Sequence, residues 1–315
     1  MSHAAFGLIY CLAFVGLEAF QAVYLGAVFQ SVDSFAVGGL VFGISVIGCT
    51  VATALFRPAE LAAAIRAWRV IVLLNVIVTV TWSTYFFAIQ LVEPAIAFTV
   101  FSGMVPLGTV IAGWLGLPEA ASKRQRLENA GYAIILLSII ALAAITVFGF
   151  SGFVRGGWMA GFTGVALAAV SGGFTALVIL FSVRLNGRGV GPLPAFGLRF
   201  ILYTVLSMLA FLLGLDDKGT SVPAGEMVRI VFIGLLVIAY PLYLLQKAIP
   251  LVHASVIAAF AALGPVIVFV MQLVEGRVDY AIATLTGTAL YMVGALLAIH
   301  GATRNTREPL VHAER

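Results

Sequence analysis

Charged residues are scarce in this sequence. Asp, Glu, Lys and Arg make up 10% of the 315 residues, whereas 62% are hydrophobic. Because soluble domains carry roughly 25% charged residues, this composition excludes an ordinary soluble domain and predicts a membrane protein. The formal net charge is only +4, and the basic residues are spread over short loops instead of forming one patch. We therefore expect no nucleic-acid partner.

The sequence has only two cysteines and no nucleotide-binding loop. The two cysteines, Cys11 and Cys49, lie inside apolar runs with no metal-ligand spacing, so we interpret them as small buried side chains. No loop of the form GxxxxGK[ST] is present, which leaves ATP-driven chemistry without support. We expect no cofactor and no metal site. The polar residues do not form a clustered catalytic set near one membrane face, so we do not expect an enzyme.

Long apolar runs dominate what remains. A helix needs roughly 20 apolar residues to cross the hydrocarbon core of a bilayer, and ten runs are long enough. Backbone groups in lipid must be satisfied within the segment, so these runs predict an all-α integral membrane protein with ten transmembrane helices. The predicted spans are 5–29, 34–56, 70–91, 94–116, 130–149, 159–182, 193–215, 227–247, 251–274 and 280–301.

The loop charges predict an orientation. Most of the 17 Lys and Arg residues fall in the loops and the tail on the same side as the N-terminus. Since basic loops favour the cytoplasmic side, we expect both termini in the cytoplasm. The expected location is the cell inner membrane, crossed many times.

Two segments of the sequence resemble each other. Residues 88–119 and 248–275 each begin with Ala-Ile, carry a proline in mid-helix (Pro106 and Pro265) and end in glutamate. A glycine follows twelve residues after each glutamate and opens the next span. The matching features fall in spans four and five and again in spans nine and ten, which indicates an internal repeat of five spans.

Five is an odd number, so the second repeat would enter the membrane upside down relative to the first. The loop charges agree, because basic loops of the first half correspond to loops with more acid than base in the second half. We expect a first repeat over residues 1–150, an inverted second repeat over 151–302, and a cytoplasmic tail over 303–315. Such inverted repeats are typical of secondary transporters.

With this pattern the chain resembles the drug/metabolite transporter superfamily and is most similar to its EamA-type exporters. The stretch "FGLRFILYTVLSMLAFLLG", residues 196–214, resembles the arginine-bearing second helix of that family's repeat. The first half departs from the pattern, with Gly38 or Gly39 where an arginine is usual. The resemblance implies ten helices and the export of amino acids, drugs or other small metabolites.

The stretch "GLEAFQ" places Glu18 near the middle of the first span. An acid at the bilayer centre costs about 2.5–3.5 kcal/mol on insertion scales, so it needs a reason. In one interpretation Glu18 is a neutral acid bonded to a neighbouring helix. In the other it faces a wet cavity and carries protons, with Gln21 on the same helical face orienting it or meeting the substrate. Small multidrug exporters of the same superfamily are similar in having a first-helix glutamate.

Arg199 lies within span seven and admits three interpretations. It extends to the interface, it pairs with Glu18, or it binds a substrate carboxylate through its guanidinium fork. An acid and a base around one cavity would suit a zwitterion such as an amino acid.

The remaining candidates are aromatic and polar side chains of spans three, eight and nine, together with two prolines. Aromatic faces opposed across a cavity could hold an aromatic or cationic group, although Tyr and Trp also belong to interfacial belts. The expected substrate-binding residues, with Gln21 and Arg199, are Trp82, Tyr85, Tyr240, Tyr243 and Gln272. Pro106 and Pro265 are expected to shape the cavity by kinking their helices.

The sequence therefore predicts a secondary transporter that exports small polar metabolites, such as amino acids or related amphipathic compounds, by alternating access. Export is either proton-coupled antiport or facilitated efflux. The alternative is a flippase for lipids or lipid-linked precursors, which would need a lateral opening and a basic head-group site. The expected partners are a small-molecule substrate, the lipid bilayer and, under coupling, protons. The chain would act as a monomer or a homodimer.

Overall fold

The computed structural model describes residues 3–120, 125–219, 222–248, 251–252 and 254–311. The described chain is almost entirely helical, which confirms the prediction of an all-α protein. Its helices are α1 (His3–Val28), α2 (Ser34–Phe56), α3 (Pro58–Arg66), α4 (Trp68–Leu91), α5 (Pro94–Trp114), α6 (Arg126–Val147), α7 (Gly157–Asn186), α8 (Pro192–Leu198), α9 (Ile201–Leu212), α10 (Ala224–Gly234), α11 (Tyr240–Ala248), α12 (Ala254–Glu275) and α13 (Ile282–Val311).

Nine helices in the described part of the chain are long and apolar enough to cross a membrane. They are Ala5–Val28, Ser34–Phe56, Trp68–Leu91, Pro94–Trp114, Arg126–Val147, Gly157–Asn186, Pro192–Leu212, Ala224–Ala248 and Ile282–Ala302. The predicted spans match these helices closely, since 34–56 coincides with α2. Helix α12 has 22 residues and occupies the place of the ninth predicted span. The total of ten spans stays a prediction.

Local sequence explains where several helices begin. The Asp33 side chain accepts a hydrogen bond from the Ala36 amide at 2.9 Å and caps the start of α2. Helices α3, α5 and α8 each carry proline at the first turn, where a missing amide proton costs nothing. Because these helices begin soon after the preceding helix ends, the connecting loops are short.

Spans seven and eight depart from regular α-helix, whereas the sequence predicts both as regular continuous helices. In span seven, Arg199 and Phe200 form a turn between α8 and α9. In span eight a π-helical segment, Leu235–Ala239, separates α10 from α11, which has Pro241 in its first turn. The π-helical segment continues its helix, whereas the turn in span seven is a break, which a membrane tolerates only where protein or a wet cavity satisfies the backbone.

The two mid-helix prolines lie where the repeat pattern placed them. Pro106 lies inside α5 and Pro265 lies inside α12, and these two helices pack against each other. Both helices continue through their prolines, so neither is broken there. Their expected role in shaping a cavity stays a prediction.

Helix α6 and helix α13 pack with their backbones almost touching. A Cβ atom added at Gly131 would meet the backbone nitrogen of Ala298, and one added at Gly301 would meet the backbone of Glu128. The Ser138 hydroxyl donates to the Gly287 carbonyl at 2.9 Å. Small residues permit this close approach, which is a common way for membrane helices to associate.

The remaining helices pack against one another through their apolar side chains. Helix α7 packs against α4 and α5, whereas α1 packs against α11 and α12. Helix α2 packs against α8 and α9. The core between these helices is filled by aromatic and aliphatic side chains, including Phe42, Phe86, Phe200 and Tyr203.

Candidate functional site

The break in span seven is held open by Asn75 of α4. In a continuous helix the Leu202 amide would donate to the Leu198 carbonyl, four residues back. Here the Leu202 amide donates to Asn75 Oδ1 at 2.8 Å, and Asn75 Nδ2 donates to the Leu198 carbonyl at 2.8 Å. The carboxamide therefore takes the place of one helical hydrogen bond, which is a recognised cause of kinks.

Arg199 lies at this break and is 4% exposed. Its guanidinium carbon is 5.4 Å from the centroid of the Phe196 ring and 5.2 Å from that of Phe200. The Nε atom is buried and has no hydrogen-bond partner within the described chain. Burial against two rings that contact each other does not fit a side chain that extends to the interface. Nor does an ion pair join Arg199 to Glu18 among the described residues.

An aromatic cluster extends from Arg199 toward α1. The Phe200 ring stacks on Phe42, with centroids 4.0 Å apart, and Phe42 meets Trp82 edge-on at 5.1 Å. Trp82 contacts Tyr85, with centroids 6.0 Å apart. The predicted residues Trp82 and Tyr85 are therefore brought together with Arg199 through two rings that the sequence analysis did not single out.

Glu18 of α1 lies close enough to Tyr85 of α4 for an electrostatic interaction between the two side chains. Its side chain is half-buried and forms no hydrogen bond with another described residue. Gln21, one turn away on the same face, is 2% exposed. Its Nε2 atom and the Tyr85 hydroxyl are buried without partners in the part of the chain described.

The acid, the amide and the phenol form one polar region on α1 and α4. The guanidinium at the break forms a second, and aromatic side chains lie between them. The rings between the two polar regions are packed in contact, since Phe42 touches both Phe200 and Trp82.

The tyrosines of span eight lie elsewhere. Tyr240 is 49% exposed, and the Tyr243 ring is 5.6 Å from Lys247 Nζ. Both line an open groove of about 320 Å³ whose other walls come from α2, α8 and the π-helical segment. The structure does not bring these two rings against Trp82 or Tyr85. Phe196 separates the groove from the aromatic cluster, since it lines the groove and contacts Phe200.

Gln272 lies in a packing contact of its own. Its Nε2 donates to the Glu93 carboxyl group and its Oε1 accepts from the Ala95 amide at 2.9 Å. Glu93 also accepts from the Gly152 amide and from the Thr284 hydroxyl, each at 2.9 Å. Burial raises the pKa of Glu93 above its ordinary value, although these three donors act against that rise. The Gln272 side chain is thus occupied by protein partners.

A second buried polar network lies at the same end of the bundle, which we call the Glu93 end (residues 29–34, 90–93, 148–156, 213–219 and 276–284). The Ser34 amide and hydroxyl donate to Asp216 at 2.9 and 2.6 Å. Lys218 Nζ donates to the other Asp216 oxygen and to Gln90 Oε1, the latter at 2.7 Å. This network joins the α9–α10 loop to the ends of α2 and α4.

Sequence reasoning missed Asn75 and the Asp216–Lys218 pair. A signal for Asn75 was available, because it is the only amide side chain in the apolar run "VIVLLNVIVTV". Asp216 and Lys218 were treated as ordinary loop charges, and nothing in the local sequence shows that the loop folds inward.

Comparisons with known proteins establish the fold and no more. No family model matches this sequence, and no curated protein matches it significantly. A solved chain described only as "Crystal structure of protein" superimposes with a TM-score of 0.61 at 20% sequence identity. The match covers 95% of this chain and 96% of that chain, so the similarity includes the whole helical bundle.

Proposed function

We propose that this chain is a secondary transporter of the drug/metabolite transporter superfamily, of the EamA type, which moves small polar metabolites such as amino acids across a membrane. The observation that carries the proposal is the interrupted span seven. A buried arginine lies at the break, and the missing helical bond is replaced by an asparagine from another span. Transporters build their sites at discontinuous helices of this kind.

The charges favour a zwitterionic substrate. Arg199 offers a guanidinium fork to a carboxylate, and Glu18 offers an acid to an amine at the other side of the aromatic cluster. Trp82 and Tyr85 supply flat apolar surface between the two. In this proposal Glu18 exchanges a proton for substrate during the cycle.

Helix packing supports two related halves. The contact of α4 with α7 corresponds to that of α11 with α1, and the contact of α5 with α7 corresponds to that of α12 with α1. Helices α2 and α9, α5 and α12, and α6 and α13 pair across the halves. Two halves related by a twofold axis would give this exchange of partners. With five spans in each half, residues 1–150 and 151–302 would be inverted relative to each other.

Two halves related in this way could alternate between an inward-open and an outward-open state, which is the proposed transport cycle. The Glu93 end is joined across the halves by two buried networks, one around Glu93 and one around Asp216. We place this end on the outer side of the inner membrane, with both termini in the cytoplasm, on the basis of the loop charges. Rocking of the halves would break these networks and expose the site to the outside.

A flippase is the second candidate, because of the groove beside Tyr240. The groove is open, it is lined mainly by apolar side chains, and Arg199 lies behind Phe196 at its wall. A flippase needs a lateral opening and a basic head-group site, and the groove offers a place for both. Transfer of a labelled phospholipid between leaflets of proteoliposomes, without amino-acid flux, would choose this candidate.

The first experiment is a thermal-shift screen of the purified protein against amino acids, amines and organic acids at one acidic and one alkaline pH. The most stabilising compound then serves as the radiolabelled substrate in proteoliposomes. We predict that Glu18→Gln abolishes transport without loss of folded protein, because the amide cannot release a proton. Glu226→Gln is the matched control, since Glu226 lies exposed at the start of α10. Flux of Glu18→Gln equal to wild type at every pH would rule out the coupling role.

A further inference from the structure

We propose that Asn75 is a positioning residue, which fixes the break in span seven and thereby fixes where the Arg199 guanidinium lies. The inference rests on the proposed function, because it assigns Arg199 to the substrate site. Asn75 belongs to the first half of the chain and the break belongs to the second, so one side chain connects the two.

The hydrogen bonds of Asn75 are specific to a carboxamide. Its Nδ2 group donates to the Leu198 carbonyl at 2.8 Å and also to the Ile71 carbonyl of its own helix at 2.9 Å. Its Oδ1 accepts from the Leu202 amide at 2.8 Å. Only a side chain that both donates and accepts at one planar group can satisfy both sides of the break.

The position of Arg199 depends on this arrangement. Arg199 and Phe200 are the two residues of the turn, and their neighbours Leu198 and Leu202 are the residues that Asn75 bonds. The turn directs the guanidinium against the rings of Phe196 and Phe200. Without Asn75 the two backbone groups lose their partners in the apolar core of the bundle, and the turn loses its fixed geometry.

The surroundings of Asn75 favour a positional role over a binding one. Asn75 is buried, and within the described chain its side chain bonds only backbone atoms, those of Ile71, Leu198 and Leu202. The side chain therefore has no free group for a ligand, and its effect on the site must pass through Arg199.

Labelling with phenylglyoxal, a small reagent that modifies arginine side chains, tests the inference without a substrate. The full-length protein is reconstituted in lipid nanodiscs, and mass spectrometry follows the modification rate of Arg199. Exposed Arg57 and Arg229 serve as internal standards in the same sample. The matched control is Thr84→Val, because the Thr84 hydroxyl bonds only carbonyls of α4 itself.

We expect Asn75→Leu to raise the Arg199 rate about tenfold relative to the standards, since two buried backbone groups lose their partners. Asn75→Ser keeps one hydroxyl group, which can replace at most one of the two bonds across the break, so its rate should fall between wild type and Asn75→Leu. Thr84→Val should match wild type. A rate for Asn75→Ser between those of wild type and Asn75→Leu identifies positioning by the hydrogen bonds.

Equal Arg199 rates in wild type and Asn75→Leu would overturn the inference. If Asn75→Leu does not fold, Asn75→Ser decides alone, and an Arg199 rate equal to that of Thr84→Val overturns the inference in the same way. The proposed transport function is tested separately from the positioning role. If Asn75→Leu alters Arg199 labelling but the wild-type protein transports none of the screened compounds, the positioning role stands and the transport proposal falls.

Discussion

Replacement of Lys218 by methionine should open the Glu93 end of the bundle. Lys218 is largely buried and donates to both Asp216 and Gln90, while Asp216 also accepts from Ser34. Methionine has a similar length but cannot donate, so Asp216 would remain as a buried charge without its cation. In the open conformation Asp216 would be hydrated, and the substitution would cost little there.

The substitution costs free energy mainly in the closed conformation, and this difference sets how far the equilibrium shifts. Removal of one partner of a buried ion pair destabilises the closed arrangement by about 3–5 kcal/mol. Since 1.4 kcal/mol changes an equilibrium tenfold, the ratio of open to closed molecules should rise by roughly two to four orders of magnitude. Complete conversion of a 1:99 mixture into 99:1 takes about 5.5 kcal/mol, so a shift of about 3–5 kcal/mol would make the open form roughly half or more of such a mixture.

Double electron–electron resonance between two spin labels measures the fraction of molecules in the open conformation. Labels at Ser31 and Asp217, both exposed at the Glu93 end, report the separation between the halves after Cys11 and Cys49 have been replaced. The control is Arg229→Met, because Arg229 forms only an exposed ion pair with Glu226 and such pairs contribute little. A single short distance in Lys218→Met, identical to that in the control, would refute the reasoning.

Two further predictions concern stability. The Arg184 guanidinium, bonded to Glu119 at 2.6 and 2.8 Å, holds the pKa of that carboxyl below its usual range. This contribution is present above the pKa of the unfolded chain and disappears as the pH falls through the folded value. Glu119→Gln should therefore lower the melting temperature slightly at neutral pH and leave it unchanged in acid; an equal loss at both would contradict this. Gly131→Val should lower the yield of folded protein severely, because its side chain would meet the backbone at Ala298, and Gly48→Val, with open space around it, should not.

Hydropathy and helix start signals predicted most of the architecture. Span α2 was predicted to the residue, because Asp33 and Ser34 mark its beginning and the apolar run ends at Arg57. Glu18, Trp82, Tyr85 and Arg199 could be selected from sequence for a simple reason. Polar and aromatic groups deep in an apolar run need a special environment whatever the fold is.

The rest depends on contacts between residues far apart in the chain. The break in span seven requires Asn75, which lies 123 residues before Leu198, and no local pattern around Arg199 shows it. Gln272 was expected to meet substrate, yet Glu93 and the start of α5 occupy its carboxamide. Hydropathy treats such a polar residue as unusual but cannot tell which partner will satisfy it.

The close contact of α6 with α13 has a consequence for how the molecule can move. Backbone meets backbone near both Gly131 and Gly301, and the Ser138 hydroxyl bonds the Gly287 carbonyl, so the two helices have a long direct contact across the halves. We therefore expect this pair to stay together while the helices around it move. A covalent tether between α6 and α13 should accordingly leave the protein fully active, whereas the same tether elsewhere across the halves should arrest it.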